Sequence, residues 1–178
     1  MDTQWPRYEV FKQDNERKVH EAVGSVHAAD AEMALLNARH VFVRRPSAVS
    51  LWVVRESAIY SRTAEELAAN PPIAEESTAD PQRYLIFTKD NQRRTMVFVR
   101  HVGEVTAESA AHALAQAIPQ FGGEDVFAWW VIPASEITAS PEGEETAASW
   151  FAPAEDKTYR QQSYYGFVGS RKAVSRKP

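Results

Sequence analysis

Arg7-Tyr8-Glu9-Val10-Phe11-Lys12-Gln13-Asp14-Asn15 returns later in the same chain as Arg83-Tyr84-Leu85-Ile86-Phe87-Thr88-Lys89-Asp90-Asn91. The correspondence resumes with Val23-Gly24 against Val102-Gly103, Ala34-Leu35 against Ala113-Leu114, Ala38 against Ala117 and Phe42 against Phe121. Trp52-Val53 then meets Trp130-Val131, and Ser57-x-Ile59 meets Ser135-x-Ile137. The identities fall on apolar, glycine and turn positions in one order, as two copies of a small folding unit would leave them. Two copies are too few for a solenoid, so the pattern predicts a fused pair, an internal pseudo-dimer.

Each copy reads as ββαβ. In the first, Tyr8 to Gln13 predicts a strand, Asp14-Asn15 a turn and Val19 to Val26 the second strand of a hairpin. Asp30 offers a helix-capping oxygen, and Ala31, Ala34, Leu35, Ala38, Val41 and Phe42 form one helical stripe in a helix reaching about Arg44 and ended by Pro46. Ser50 to Arg55 is an apolar run bounded by turn residues, which predicts a strand buried on both faces. The second copy predicts strands at 83–89, 96–105 and 126–132 and a helix near 109–118, stopped by Pro119 and Gly122-Gly123. A hairpin and a third strand crossed by one helix must bury the helix stripe against a sheet face. The expected class is therefore α+β, of a β-grasp (ubiquitin-roll) or ferredoxin-like kind, which pattern alone does not separate.

The expected organisation is a first unit at 5–62, an acidic linker with Asn70-Pro71-Pro72 at 63–81, a second, diverged unit at 82–140 and an aromatic arm with a basic tail at 141–178. Proline and self-repelling charge should keep the linker extended over the surface without packing into a core. Glu65-Glu66 and Glu144-Glu145 read as solubilising charge in linkers. The arm, with Trp150, Phe151, Tyr159, Arg160, Tyr164 and Tyr165, shows little periodicity and is expected to lie extended on another surface, in cis or on a partner. Interface cores favour Trp, Tyr and Arg, so these six are candidates for partner contact. Trp129, which aligns with Leu51, is expected to face outward, and Arg44-Arg45, absent from the second copy, are further candidates beside their favourable place at a helix C-terminus. Trp52 and Trp130 hold equivalent positions and read as structural anchors.

The chain has 178 residues, 44% hydrophobic and 25% charged, with a net charge of -4 and no cysteine. Absent cysteine excludes disulfides, iron-sulfur clusters and thiol nucleophiles. The acidic balance gives no global attraction to nucleic acid or anionic lipid, and no run of apolar residues is long enough to span a membrane, so a cytoplasmic protein is expected. No glycine-rich phosphate loop, Gly-x-Ser-x-Gly elbow or paired Glu-x-x-His motif occurs. Glu108 and His112 could share a helical face, but two ligands hold no metal firmly, and His20, His27, His40 and His101 are scattered. The sequence therefore offers no catalytic, cofactor-binding or metal residue.

Trp5 to Phe11, Val23 to Arg39 and Ser50 to Val54, together with Phe151-Ala152-Pro153-Ala154-Glu155-Asp156-Lys157-Thr158-Tyr159-Arg160, resemble the B subunit of phenylacetyl-CoA epoxidase, the PaaB family. The resemblance covers residues 5–60 and 150–165 directly, and the second unit mainly through the first. It implies a small α/β roll and a non-catalytic subunit of a multicomponent oxygenase in phenylacetate degradation. The partners it implies are a di-iron catalytic subunit, a helical structural subunit and a reductase. The tandem form departs from the family's single unit, places a second copy between the first unit and the family's tail, and leaves self-association open. The alternative is a standalone module that binds an aromatic acid or acyl-CoA between the units, and an independent enzyme stands third.

Overall fold

The computed structural model describes residues 4–43, 48–72, 80–90, 99–122 and 126–155. The first unit consists of strands β1 (Arg7–Gln13) and β2 (Glu21–His27), helix α1 (Ala31–Phe42) and strand β3 (Ser50–Arg55). The second repeats it with β5 (Gln82–Lys89), β6 (Arg100–Ala107), α3 (Ala110–Phe121) and β7 (Ala128–Pro133). Two further strands, β4 (Tyr60–Thr63) and β8 (Thr138–Ala139), and two further helices, α2 (Ala64–Ala69) and α4 (Glu144–Glu155), complete the α+β chain. The expected strand at 96–105 falls partly outside the described residues, as does Pro46, expected to end the first helix.

All eight strands belong to one antiparallel sheet in the order β4-β7-β5-β6-β2-β1-β3-β8. That order is a palindrome between the copies. The strand that follows each unit crosses to the other, β4 pairing with β7 through Tyr60 to Val131 and β8 pairing with β3 through Val53 to Thr138. At the centre β2 meets β6 through Glu21 and Arg100, with Ala22 N–H donating to Val99 O at 2.8 Å and His101 N–H to His20 O at 2.9 Å. Each unit thus lends a strand to its neighbour, an exchange of equivalent elements within one chain.

The duplication extends to an irregularity. In both hairpins the register slips by one residue, between Val10 and Phe11 and between Ile86 and Phe87, leaving Val23 and Val102 as the extra residue of a β-bulge. Beside each bulge a glycine receives an aromatic ring from the helix above. A Cβ on Gly24 would meet Phe42 and one on Gly103 would meet Phe121, and Gly24 also has φ +141°. The Val-Gly and Phe identities of the repeat record this single packing device, used twice.

In a flat sheet β1 and β5 would lie three strand spacings apart, about 14 Å. Phe11 and Phe87 instead have ring centroids 4.5 Å apart, so the sheet curls and its halves face each other. Between them lies a shared core of Phe11, Ala22, Val54, Leu85, Phe87, Val99 and Ile132, edged by Trp52 and Trp130. The outer faces carry one core each. Tyr8, Val10, Leu51 and Val53 pack under Ala34, Leu35 and Ala38 of α1, and Tyr84, Ile86 and Val131 under Ala113, Leu114 and Ala117 of α3. Period-two alternation explains both, since neighbours along each strand serve opposite faces.

Several expectations are corrected. The first part of the expected linker does not simply track over the surface: Thr63 and Glu66 form a reciprocal capping box that starts α2, and Leu67 packs on the second core. The expected extended arm begins as helix α4, whose Ala147, Phe151 and Ala154 lie at i, i+4, i+7 against the first core. Glu65-Glu66 and Glu144-Glu145 accordingly stand in first helical turns, where negative charge is favoured, and not in linkers. Helix α3 runs past Pro119 to Phe121, with Gly122 N–H still donating to Ile118 O at 2.9 Å, because a proline in the last turn removes only one bond.

Candidate interaction surfaces

Trp129 does not face outward: it is 4% exposed in the second core, the place Leu51 takes in the first, because strand alternation puts positions 51 and 129 under the helices. Phe151 is buried in the first core, while Trp150 packs at its edge, its ring 4.8 Å from that of Phe151 and nearly perpendicular to it. Arg39 of α1 ties this helix down, with its Nη1 donating to Trp150 O at 2.7 Å and its guanidinium 4.9 Å above the indole. Arg44, Arg45, Tyr159, Arg160, Tyr164 and Tyr165 lie outside the described residues. Among the described candidate contact residues, Trp150 and Phe151 come together, on the chain's own first unit.

A polar seam unremarked in the sequence forms where β2 meets β6. His20 stacks on Trp52 with centroids 3.4 Å apart and an interplanar angle of 12°, and its Nε2 shares a hydrogen bond with Ser50 Oγ at 2.9 Å. His101 meets Trp52 edge-on at 5.7 Å and Phe87 at 5.2 Å, and its Nε2 is buried without a hydrogen-bond partner. Burial, and secondly His101, pushes the His20 pKa down to about 3, so the ring is neutral. Burial likewise lowers that of His101, against the pull of Glu104. The two histidines come from different copies and sit two positions out of equivalence, His20 aligning with Val99 and His101 with Ala22, so no repeat signal marks them.

A cleft of about 240 Å³ opens beside Trp130, lined by Arg7, Glu9, Ser25, Glu56 and Ser61. Glu9 is 5% exposed where the second copy has Leu85, and it accepts from Arg7 at 2.7 Å. Burial raises its pKa although Arg7 opposes the shift. A larger groove of about 760 Å³ runs between β3 and α4. Trp52 and Phe151 line it, with Val49 and Ala147, and Glu16, Glu142 and Glu144 bring negative charge. Just before the groove's Pro141, Ser140 exchanges two hydrogen bonds with Leu51, 2.7 Å through its N–H and 3.1 Å to its Oγ. Gly143, at φ +95°, then turns the chain into α4.

Among the described residues no three His, Asp or Glu side chains converge as metal ligands. Glu108 and His112 form no such centre, and His112 Nε2 instead bonds Gln116 Nε2 at 2.9 Å. Among the same residues no helix is long and apolar enough to cross a membrane.

Two α+β units that exchange strands around a common core define a tandem-repeat protein built from one small domain. The chain belongs to the PaaB family, phenylacetic acid degradation B, whose sequence profile matches residues 4–78 and again 80–172. The second match runs on from the second unit through α4 and into the C-terminal segment. A curated relative, the B subunit of 1,2-phenylacetyl-CoA epoxidase from Escherichia coli (strain K12), is 51% identical over 55 residues, 31% of this chain and 58% of the relative. The chain thus spans a little over half of that relative's length. No solved structure matches the chain.

Proposed function

We propose that this chain is a non-catalytic accessory subunit of a cytoplasmic phenylacetyl-CoA epoxidase complex, acting by contact with a di-iron catalytic subunit and a helical structural subunit. The observation that carries the reading is the double match to the PaaB family over nearly the whole chain. The units at 5–62 and 82–140, each of a β-grasp or ferredoxin-like kind, are its two halves. Partner contact is assigned to Arg44, Arg45, Tyr159, Arg160, Tyr164 and Tyr165, together with Trp150. Co-expression with the two other subunits tests the reading. The chain should co-elute with them on size exclusion, and epoxidation of phenylacetyl-CoA should depend on it. Separate elution together with undiminished epoxidation in its absence overturns the proposal.

The alternative, a standalone module for an aromatic acid or acyl-CoA, draws support from the groove between β3 and α4, whose volume lies within the range of ligand sites. Its charge opposes that reading, because Glu16, Glu142 and Glu144 would face the phosphates of an acyl-CoA. Calorimetry of the isolated protein with phenylacetyl-CoA decides between the two: micromolar binding without partners favours the module.

A further inference from the structure

Among the described residues, the second half is built differently from the first where the groove between β3 and α4 lies. There α2 follows β4 without an intervening residue, and Leu67 closes onto the core at once. In the first half Ser140-Pro141-Glu142-Gly143 separates β8 from α4 and holds the helix start off the sheet. The space left is lined by rigid aromatic surface. Trp52 is held by the stacked His20 ring, which also lines the groove, and Phe151 is locked into the first core. A surface fixed before binding gives up little conformational freedom when it is covered.

Exposed apolar surface gathers on the same half. Every large hydrophobic side chain exposed among the described residues belongs to the first unit, including Val49 on the groove's lip at 38% and Val19 and Val41, close in sequence to lining residues His20 and Val43. The charged residues among the described lining are all acidic, with no lysine or arginine.

Resting on the accessory-subunit reading, we propose that this groove receives a segment of a partner subunit carrying an apolar or aromatic anchor flanked by lysine or arginine. The anchor covers Trp52 and Val49, and the basic flanks meet Glu16 and Glu142. Such a pairing of a buried anchor with a charged rim gives the anchor the affinity and the rim the approach rate and salt dependence.

The test uses the full chain co-expressed with the catalytic and structural subunits. Val49→Glu should weaken retention in the complex about tenfold or more, and Glu16→Lys with Glu142→Lys about tenfold with a flatter salt dependence. Both alter exposed positions, so melting of the isolated variants should match the parent and exclude misfolding as the cause. Hydrogen exchange should slow at 48–52 and 141–148 when the complex forms. Complexes as tight as the parent's for both variants overturn the docking while leaving the accessory reading intact. Absence of any complex with the parent chain overturns both. If the isolated full chain already protects the groove and loses that protection on truncation after Glu155, the occupant is the chain's own segment 156–178 and the proposal fails.

Discussion

Helix α1 presents Met33 and Leu36 to solvent where α3, in the same place on the second half, carries the half-buried His112 and Ala115. Beneath the helices the halves agree: Ala34, Leu35 and Ala38 face the sheet as Ala113, Leu114 and Ala117 do. On the inner face a buried carboxylate, Glu9, stands opposite a buried Leu85. Folding demands the agreements, since each unit must bury its helix stripe and fill the shared core. It does not demand the differences, because the second half folds without them. The differences are therefore free to serve something besides folding.

The shared core is the strictest link between the halves. Phe87→Ala would empty a fully buried ring site that touches Phe11 and His101, at a cost of about 3–5 kcal/mol. Because that core belongs to both units, chemical denaturation should still show one transition, shifted as a whole. Two separated transitions would show that the halves fold independently. Phe151→Ala, by contrast, removes a ring supplied by one peripheral helix. The expected loss is about 2–3 kcal/mol, limited because α4 can detach locally, and hydrogen exchange should quicken over 144–155 while the second half keeps its protection.

The repeat made the ββαβ order, the helix stripes and the pairing of copies legible, because each depends on local period and on identities in sequence. The crossing of β4 and β8 was not legible: four and two residues are too short to carry a period, and their partners lie in the other copy. Helix α4 was hidden by Pro153 and by aromatic density, although the spacing of Ala147, Phe151 and Ala154 was present throughout. Trp129 misled through its size, while its alignment with Leu51 already gave its direction. The histidine seam is a long-range event. His20 and His101 meet only because β2 pairs with β6, which no window of sequence contains.

That seam, built by one histidine from each half, ties both halves to one response to acid. His20 has a folded pKa of about 3 against about 6.5 unfolded, so the unfolded chain takes up a proton first as pH falls. The stability tied to its neutral form is complete above about pH 6.5 and is lost progressively toward pH 3, at up to about 1.4 kcal/mol per pH unit. His101 adds to the loss in the same direction. His20→Gln should therefore lose less stability than the parent between pH 7 and pH 5, by up to about 2 kcal/mol, with carboxylate titrations common to both chains cancelling in the difference. Equal pH slopes in urea titrations would sink the assignment.

The smallest effect is expected where the halves differ most in chemistry. Glu9→Leu gives the first half the residue the second already has. It removes a carboxylate whose burial raises its pKa, and Arg7 keeps a second partner in Glu56 at 3.5 Å. Exchanging a desolvated charge for an apolar side chain of similar reach is commonly neutral or mildly stabilising, so the midpoint of unfolding should correspond to a change within about 1 kcal/mol at neutral pH. A loss well beyond that would make Glu9 part of what holds the curled sheet together. If stability holds but retention in the epoxidase complex falls, the carboxylate belongs to the first half's second task, and the cleft beside Trp130 joins the surfaces that distinguish it from its copy.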